Sequence, residues 1–364
     1  GRQVERRELP QNVEPHHRLG PQGQAGGRPP GAATVPARRA RRGQRAGAGL
    51  IITEGSQISQ EAQGYLFTPG IFSSEQIEGW KQVTEEVHSD NGKIFIQLWH
   101  VGRISHVSIQ PEGRAPVSSV DTLAENTTCY GFTPDGQPGQ VQVTRPRAVS
   151  TAEVSRLTQD FVSAAKNAIS AGFDGVEIHG ANGYIFEQFI NGELNTRTDQ
   201  YGGSIENRLR FLLETVDLMA EAIGNHRIGL RIAPFGRLSA MPPFADEKET
   251  WLAAARALSS RKLAYVHLSD QDSLCGNLLN REFLREFRDA YQGTLIFAGS
   301  LTKEVAEAML SEGIIDLAAF GRPFISNPDL VERFAKGVPL APFDRATFYG
   351  GDDRGYIDYP HFND

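Results

Sequence analysis

The sequence predicts an α/β protein folded as a (β/α)8 barrel, the TIM barrel. The chain has 364 residues, 39% of them hydrophobic, which suits one large barrel domain. From residue 50 onward, short β-rich runs alternate with amphipathic stretches of helical length, the pattern of βα units around a parallel sheet. Polar side chains follow most of these runs, and barrels place their active sites at those strand ends.

Seven runs are predicted to form the strands of the barrel. They are Leu50–Glu54, Ile94–Trp99, Gly175–His179, Ile228–Ile232, Tyr265–Leu268, Leu295–Ala298 and Leu317–Phe320. A closed barrel needs eight, so the first βα unit is missing or garbled, and its place is at residues 1–49.

Seven helices are predicted between and after the strands, several with a capping residue at the start. They are Ser74–Ser89, Thr151–Ala171, Ser204–Ile223, Asp246–Arg261, Asn280–Tyr291, Thr302–Glu312 and Asn327–Lys336. An insertion at about 105–147 is predicted to form a lid, with a hairpin of Thr128–Phe132 and Gln140–Thr144 around the turn sequence PDGQPG.

Residues 1–49 differ from the rest of the chain. They contain ten Arg, nine Gly and six Pro, no aromatic residue, and no helical or strand periodicity. Such a segment buries too little apolar surface to offset its ordering entropy, so we expect an aberrant, disordered segment. Our hypothesis is an out-of-frame translation of the first βα unit. The barrel domain is expected at 50–364.

Composition excludes several classes of protein. The net charge of −7 argues against a general nucleic-acid or membrane-surface binder. The two cysteines, Cys129 and Cys275, form neither a disulfide framework nor a CxxC metal pair, so no metal site is expected. No apolar run approaches the roughly 18 residues needed to cross a bilayer. A soluble, cytoplasmic protein is expected.

The densest group of polar residues follows the strand Gly175–His179. His179 and Asn182 can both donate hydrogen bonds to one ligand oxygen. Tyr184 can deliver a proton, because an ordinary tyrosine, with a pKa near about 10, stays protonated at neutral pH. The alternative is that His179 and Tyr184 only pack at a strand end. The spacing alone does not decide between the two.

The stretch 175–208 closely resembles the fingerprint of the old yellow enzyme family of ene-reductases. Six other motifs resemble the same family in the same order, from about residue 48 to the C-terminus. They are IITEG (51–55), IQLWHVGR (96–103), GLRIAPFG (229–236), FAGSLT (297–302), FGRPFISNPDL (320–330) and TFYGGDDRGYIDYP (347–360).

This resemblance implies non-covalent FMN, reduced by NADPH or NADH, which reduces the C=C bond of α,β-unsaturated carbonyl and nitro compounds by hydride transfer from flavin N5. His179 and Asn182 match the pair that binds the substrate oxygen, and Tyr184 matches the residue that protonates the α-carbon. Trp99, Phe348 and Tyr349 match the aromatic walls of the substrate pocket.

The resemblance also assigns residues to the flavin. Arg231 and Gln97 match contacts to its N1–C2=O edge, and Gly55 matches a position beside its ring. A salt bridge between Arg231 and Glu177 is the alternative. The phosphate is expected after the last two strands, where barrels commonly bind it. The residues matched there are Gly299, Ser300, Gly321 and Arg322.

One family feature is missing. Residues 1–49 contain no match to the first strand, which ends in Pro-(Leu/Met)-Thr or Cys beside the flavin. The second hypothesis is therefore a degraded, non-catalytic barrel that no longer retains FMN. A third, a related barrel with an iron–sulfur cluster, needs more cysteines than the chain has. The expected partners are an activated alkene and a nicotinamide cofactor, and the protein is expected to be a monomer or homodimer.

Overall fold

A parallel sheet of seven strands forms the centre of the computed structural model, which describes residues 43–271, 279–348 and 354–362. Its strands, together with four that form two separate two-stranded sheets, are β1 (Ile51–Gln57), β2 (Ile94–Trp99), β3 (Val117–Ser118), β4 (Thr128–Phe132), β5 (Pro138–Gln142), β6 (Arg147–Ala148), β7 (Gly175–Gly180), β8 (Ile228–Ile232), β9 (Tyr265–Ser269), β10 (Leu295–Ala298) and β11 (Leu317–Ala318). The order is β1-β2-β7-β8-β9-β10-β11.

All seven predicted barrel strands are confirmed, with small differences at their ends. Within the described ranges β11 pairs only with β10, and β1 only with β2. Among the described residues, the sheet is therefore open at the position where the eighth strand of the barrel is expected. Strand β11 ends at Ala318, two residues before the predicted Phe320, and in the described part of the chain β10 is its only neighbour.

The seven predicted helices are confirmed, with differences of one to three residues at some ends, and two further short helices, Ile185–Ile190 and Arg322–Ser326, were not predicted. In chain order the described helices are α1 (Ser74–Ser89), α2 (Thr151–Ser170), α3 (Ile185–Ile190), α4 (Ile205–Ile223), α5 (Glu247–Ser259), α6 (Arg281–Ala290), α7 (Lys303–Ser311), α8 (Arg322–Ser326) and α9 (Leu330–Lys336). Helix α2 begins with a complete capping box between Ser150 and Glu153. Helix α9 begins three residues after the predicted Asn327. The Asn327 side chain instead donates a hydrogen bond to Pro323 O and accepts one from Ala341 N.

Residues 43–49 do not behave as the predicted aberrant segment. Ala46 is buried, and Arg45 is only 5% exposed. The Arg45 guanidinium donates to the carbonyl oxygens of Phe324 (2.7 Å) and Ile325 (2.8 Å) in α8. The disorder expected from composition is therefore not seen at residues 43–49, because composition cannot register one long-range arginine contact. Residues 1–42 are outside the described part.

The insertion contains the predicted antiparallel hairpin, formed by β4 and β5. The second strand spans Pro138–Gln142, two residues earlier than expected, because Thr133 and Gln137 close the turn through backbone and side-chain hydrogen bonds. Leu66 N donates to Tyr130 O at 2.8 Å, which attaches the hairpin to the loop after β1. In the described residues no helix is long and apolar enough to cross a membrane.

Alternate residues of each barrel strand face opposite sides. Val176 and Ile178 belong to the main hydrophobic core, which packs the sheet against the helices. Glu177 and His179 therefore face the other way, into the barrel. The same alternation turns Gln97 inward from β2.

Candidate active site

The barrel interior contains a chain of buried polar side chains. The Glu177 carboxylate, 0% exposed, accepts a hydrogen bond from Gln97 Nε2 at 2.6 Å. Its second oxygen lies 2.9 Å from His267 Nδ1. Burial alone would raise the pKa of Glu177, but His267, and then Arg231 and Gln97, lower it below its ordinary value. Glu177 is thus ionised and fixes which end of the Gln97 amide faces away from it.

Arg231 lies at the end of β8, directly across the sheet from both His179 and His267. Its Nη2 donates to Ser269 Oγ at 2.7 Å, while its Nε is buried without a hydrogen-bond partner. Among the described residues it forms no ion pair with Glu177, so the salt-bridge alternative is wrong. His267 Nε2 is also buried and unpaired. The free Nε–H of Arg231 fits the polar, partly anionic edge of a flavin.

A tight turn carries the residues that follow β7. Tyr184 N donates to Ala181 O at 3.3 Å, and the two central residues have positive φ, 61° for Asn182 and 74° for Gly183. This is the pattern of a type I′ turn, in which Asn-Gly is the preferred central pair. The turn reverses the chain within four residues, so His179 and Tyr184 are brought together.

His179 is a neutral hydrogen-bond donor in this arrangement. It is 3% exposed, and burial, followed by the Arg231 charge, lowers its pKa to about 3. Its Nδ1 accepts a hydrogen bond from Ala181 N at 3.3 Å. The ring proton is therefore on Nε2, which can donate to a ligand oxygen.

The amide of Asn182 is oriented in the same way. Its Oδ1 accepts a hydrogen bond from Gln271 Nε2 at 2.8 Å, and Gln271 is itself 7% exposed. Nδ2 is thus the end of the amide left to donate. Gln271 was not anticipated from the sequence, because it lies 89 residues from Asn182 along the chain.

Four aromatic rings build one wall of the site. Trp99 stacks on Tyr65 with ring centroids 5.6 Å apart, and on His179 at 6.2 Å. Tyr184 meets Trp99 edge-on at 5.1 Å and His179 at 5.0 Å. The hydroxyls of Tyr65 and Tyr184 are 3.4 Å apart. The structure therefore brings the predicted Trp99, His179 and Tyr184 together and adds Tyr65, which had no sequence signal.

Burial, and then the neighbouring Tyr184, raises the pKa of Tyr65 well above its ordinary value. Tyr65 consequently stays protonated at any working pH. Its hydroxyl presents a neutral hydrogen-bonding group beside the Tyr184 hydroxyl.

The predicted phosphate residues meet beyond β10 and β11. Arg322 Nη2 donates to Ser300 Oγ at 2.6 Å, and both side chains are exposed. A Cβ at Gly299 would lie 2.4 Å from Asp270 Cβ, so only glycine fits at this close approach. Gly321 precedes α8 in open space. An exposed arginine and a hydroxyl between two glycines can accept an anionic group.

The remaining predicted residues divide into three cases. A Cβ at Gly55 would lie 2.7 Å from the Trp99 ring, so this glycine lets the indole lie against β1. Phe348 packs its ring against Phe343 at 5.2 Å, and its place in a substrate pocket stays a prediction. Tyr349 lies outside the described residues.

The fold and the site fit one class of protein, the flavin-dependent oxidoreductases built on a parallel α/β barrel. Comparison with known proteins gives the family. Residues 28–341 match the model of the NADH:flavin oxidoreductase / NADH oxidase family. The chain belongs to this family, which includes old yellow enzyme.

Solved and curated relatives agree. Morphinone reductase superposes with a TM-score of 0.89 at 43% identity, covering 93% of this chain and 90% of that one. The old yellow enzyme homologue from Zymomonas mobilis gives 0.84 at 36% identity, covering 91% and 93%. 12-oxophytodienoate reductase 1 from Oryza sativa subsp. japonica is 42% identical over 337 residues, which is 91% of this chain and 84% of the relative. FMN is the cofactor of the family, and a nicotinamide is its reductant.

Proposed function

We propose that this chain reduces the C=C bond of α,β-unsaturated carbonyl and nitro compounds with NADPH or NADH. The turn after β7 carries the proposal. It supplies His179 Nε2–H and Asn182 Nδ2 as two donors for one substrate oxygen, with the Tyr184 hydroxyl in ring contact with His179. This is the arrangement needed to stabilise an enolate-like charge and then to protonate it.

The side chains that would hold FMN are those already described. Arg231 and Gln97 would contact its pyrimidine edge, and Ser300 with Arg322 its phosphate, flanked by Gly299 and Gly321. Bound and reduced, FMN supplies the hydride for the β-carbon of the alkene.

The protein's own residues would perform the other steps. His179 and Asn182 would hold the carbonyl or nitro oxygen and polarise the double bond. Because His179 remains neutral, it would donate a hydrogen bond without surrendering its proton. Tyr184 would give the proton to the α-carbon, and Trp99 would form the wall on which Tyr65, His179 and Tyr184 pack.

A non-catalytic barrel is the competing hypothesis. It is not favoured by the oriented amide of Asn182 or by the neutral His179, because a barrel that had lost its chemistry would have no need of either. Bound yellow colour after purification separates the two. We also propose that the barrel domain spans residues 50–364 with a lid at about 105–147, and that the enzyme is a cytoplasmic monomer or homodimer.

An anaerobic assay tests the activity. The FMN-loaded protein should consume NADPH and 2-cyclohexenone in equal amounts and form cyclohexanone. NADH in a parallel assay measures the nicotinamide preference. Oxidation of NADPH only when oxygen is admitted, with the enone unchanged, would identify an oxidase and overturn the proposal.

A further inference from the structure

The backbone of Gly183 lies between the oxygen-binding Asn182 and the proton donor Tyr184. Two consecutive residues of helix α3 hold it from both sides. Its N–H donates to the Glu187 carboxyl group, and its C=O accepts from Gln188 Nε2 at 2.8 Å. Glu187 is 4% exposed and Gln188 is 0% exposed.

Gln188 uses every hydrogen-bonding position of its amide. Besides Gly183 O, Nε2 donates to Val101 O at 3.0 Å. Its Oε1 accepts from Arg103 N at 3.1 Å and from Ser118 Oγ at 2.8 Å. One side chain thus connects the turn after β7 to the loop after β2 and to β3, and a fully satisfied buried amide is rigid.

The same turn has no free space on its far side. A Cβ at Gly183 would lie 2.6 Å from Leu238 O and 2.7 Å from Ser239 Cβ. Ser239 Oγ also donates to Asn182 O at 2.8 Å. The peptide is therefore packed against the loop after β8 while α3 holds its polar atoms.

Burying the Glu187 carboxyl group at this position costs free energy. Burial, with a smaller contribution from the charge of Glu247, raises its pKa to about 8. The hydrogen bond from Gly183 and the charges of Arg237 and Arg231 lower the pKa, but by less than burial raises it. The neutral acid is therefore the major form at pH 7. Packing alone would favour an apolar side chain here, because a buried carboxyl costs free energy unless its oxygens are used.

We propose that Glu187 and Gln188 are positioning residues that fix the Gly183 peptide and, through it, both the Asn182 amide and the Tyr184 hydroxyl. This inference rests on the proposed function. Displacing reacting groups by about 1 Å can cost about 100-fold in rate, so a turn that carries two of the three groups needs rigid support.

Two substitutions of Glu187 test the inference. Glu187→Met keeps an unbranched buried side chain but removes the oxygen that accepts from Gly183 N. Glu187→Gln keeps a carbonyl oxygen there and is isosteric with the neutral acid. Thr215→Val is the matched control, because it removes a buried hydrogen bond to Phe211 O in α4, outside the site.

The FMN-loaded variants are compared in three measurements: FMN dissociation, dissociation of a para-substituted phenol, and steady-state reduction of 2-cyclohexenone. We expect Glu187→Met to weaken phenol binding about tenfold and enone turnover about 10- to 100-fold, with FMN affinity within twofold of wild type. Glu187→Gln should restore both, and Thr215→Val should alter neither. If Glu187→Met does not fold, Gln188→Glu should give the same losses, since its carboxyl can donate to at most one of the two carbonyls.

Phenol binding and turnover in Glu187→Met that match those of Thr215→Val would overturn the inference while leaving the proposed function intact. Loss in Glu187→Gln equal to that in Glu187→Met would also overturn it. A wild-type protein that binds FMN but neither binds phenol nor reduces the enone would overturn the proposed function itself.

Discussion

Replacing Tyr184 by phenylalanine removes one hydroxyl and leaves its surroundings in place. The ring contacts of Tyr184 with Trp99 and His179, at 5.1 and 5.0 Å, do not involve the oxygen. The hydroxyl faces that of Tyr65 at 3.4 Å, a long contact. Phenylalanine therefore keeps the aromatic wall and loses the proposed proton donor.

The expected magnitudes separate chemistry from structure. General-acid catalysis is typically worth about 10²- to 10⁴-fold, or roughly 3–5 kcal/mol of barrier. Losing one neutral hydrogen bond costs about 0.5–1.5 kcal/mol of stability, and at 3.4 Å the lower end applies. Turnover of 2-cyclohexenone should thus fall by at least about a hundredfold in a variant that remains nearly as stable as wild type.

Stopped-flow measurement of the two half-reactions gives the decisive comparison. Flavin reduction by NADPH needs no proton from Tyr184, so its rate should hardly change, while reoxidation by the enone should slow steeply. A nitroalkene should be affected less, because its nitronate is stable enough to leave before protonation. Tyr201→Phe, which loses a buried-ring hydroxyl bonded to Glu214 at 2.9 Å, is the control. Equal slowing of flavin reduction and enone reduction in Tyr184→Phe would make Tyr184 a structural residue.

Four further outcomes are expected. Arg322→Ala should raise the FMN dissociation constant about 10-fold or more, and Ser300→Ala less, by fluorescence titration; an unchanged constant would place the phosphate elsewhere. Combined His179→Ala and Asn182→Ala should weaken binding of a para-substituted phenol by on the order of 1.5–3 kcal/mol per lost bond, read from its charge-transfer absorbance. The free energy of unfolding in urea should decrease as the pH falls below about 6.5, because burial lowers the pKa of His100 to about 4 and of His179 to about 3, so the unfolded state binds more protons. The decrease should be smaller in His100→Gln, and a decrease equal to that of wild type would contradict the role of His100. Restoring a family-like first strand should strengthen FMN retention, and equal affinity would show that the strand is dispensable.

Local patterns were enough to predict most of the fold. Helix α1 spans the predicted Ser74–Ser89, because Ser73 and Gln76 form a capping box that starts it at one residue. Boundaries that depend on a distant partner were less accurate. Asparagine is a common first residue of a helix, yet the side-chain oxygen of Asn327 accepts a hydrogen bond from Ala341 N, fourteen residues away.

The site was predictable where its residues share one strand end. His179, Asn182 and Tyr184 are close in sequence, and the Asn-Gly pair favours the turn that unites them. Residues that orient them were not predictable. Gln271 and Tyr65 reach the site from 89 and 119 positions away, and only the packed barrel brings them near.

The partner of Arg231 shows how register decides what composition leaves open. Arg231 and Glu177 both face the barrel interior, so an ion pair between them was a reasonable alternative. In the parallel register Arg231 lies opposite His179 and His267, whereas Glu177 lies opposite Gly229. His267 therefore reaches the carboxylate first, at 2.9 Å, and Arg231 keeps a buried Nε without a protein partner. A buried N–H without a hydrogen-bond acceptor is costly unless an anionic or polar ligand meets it. The flavin edge is such a ligand. The register of β8 with its two neighbours therefore explains why Arg231 has a hydrogen-bond donor available for it.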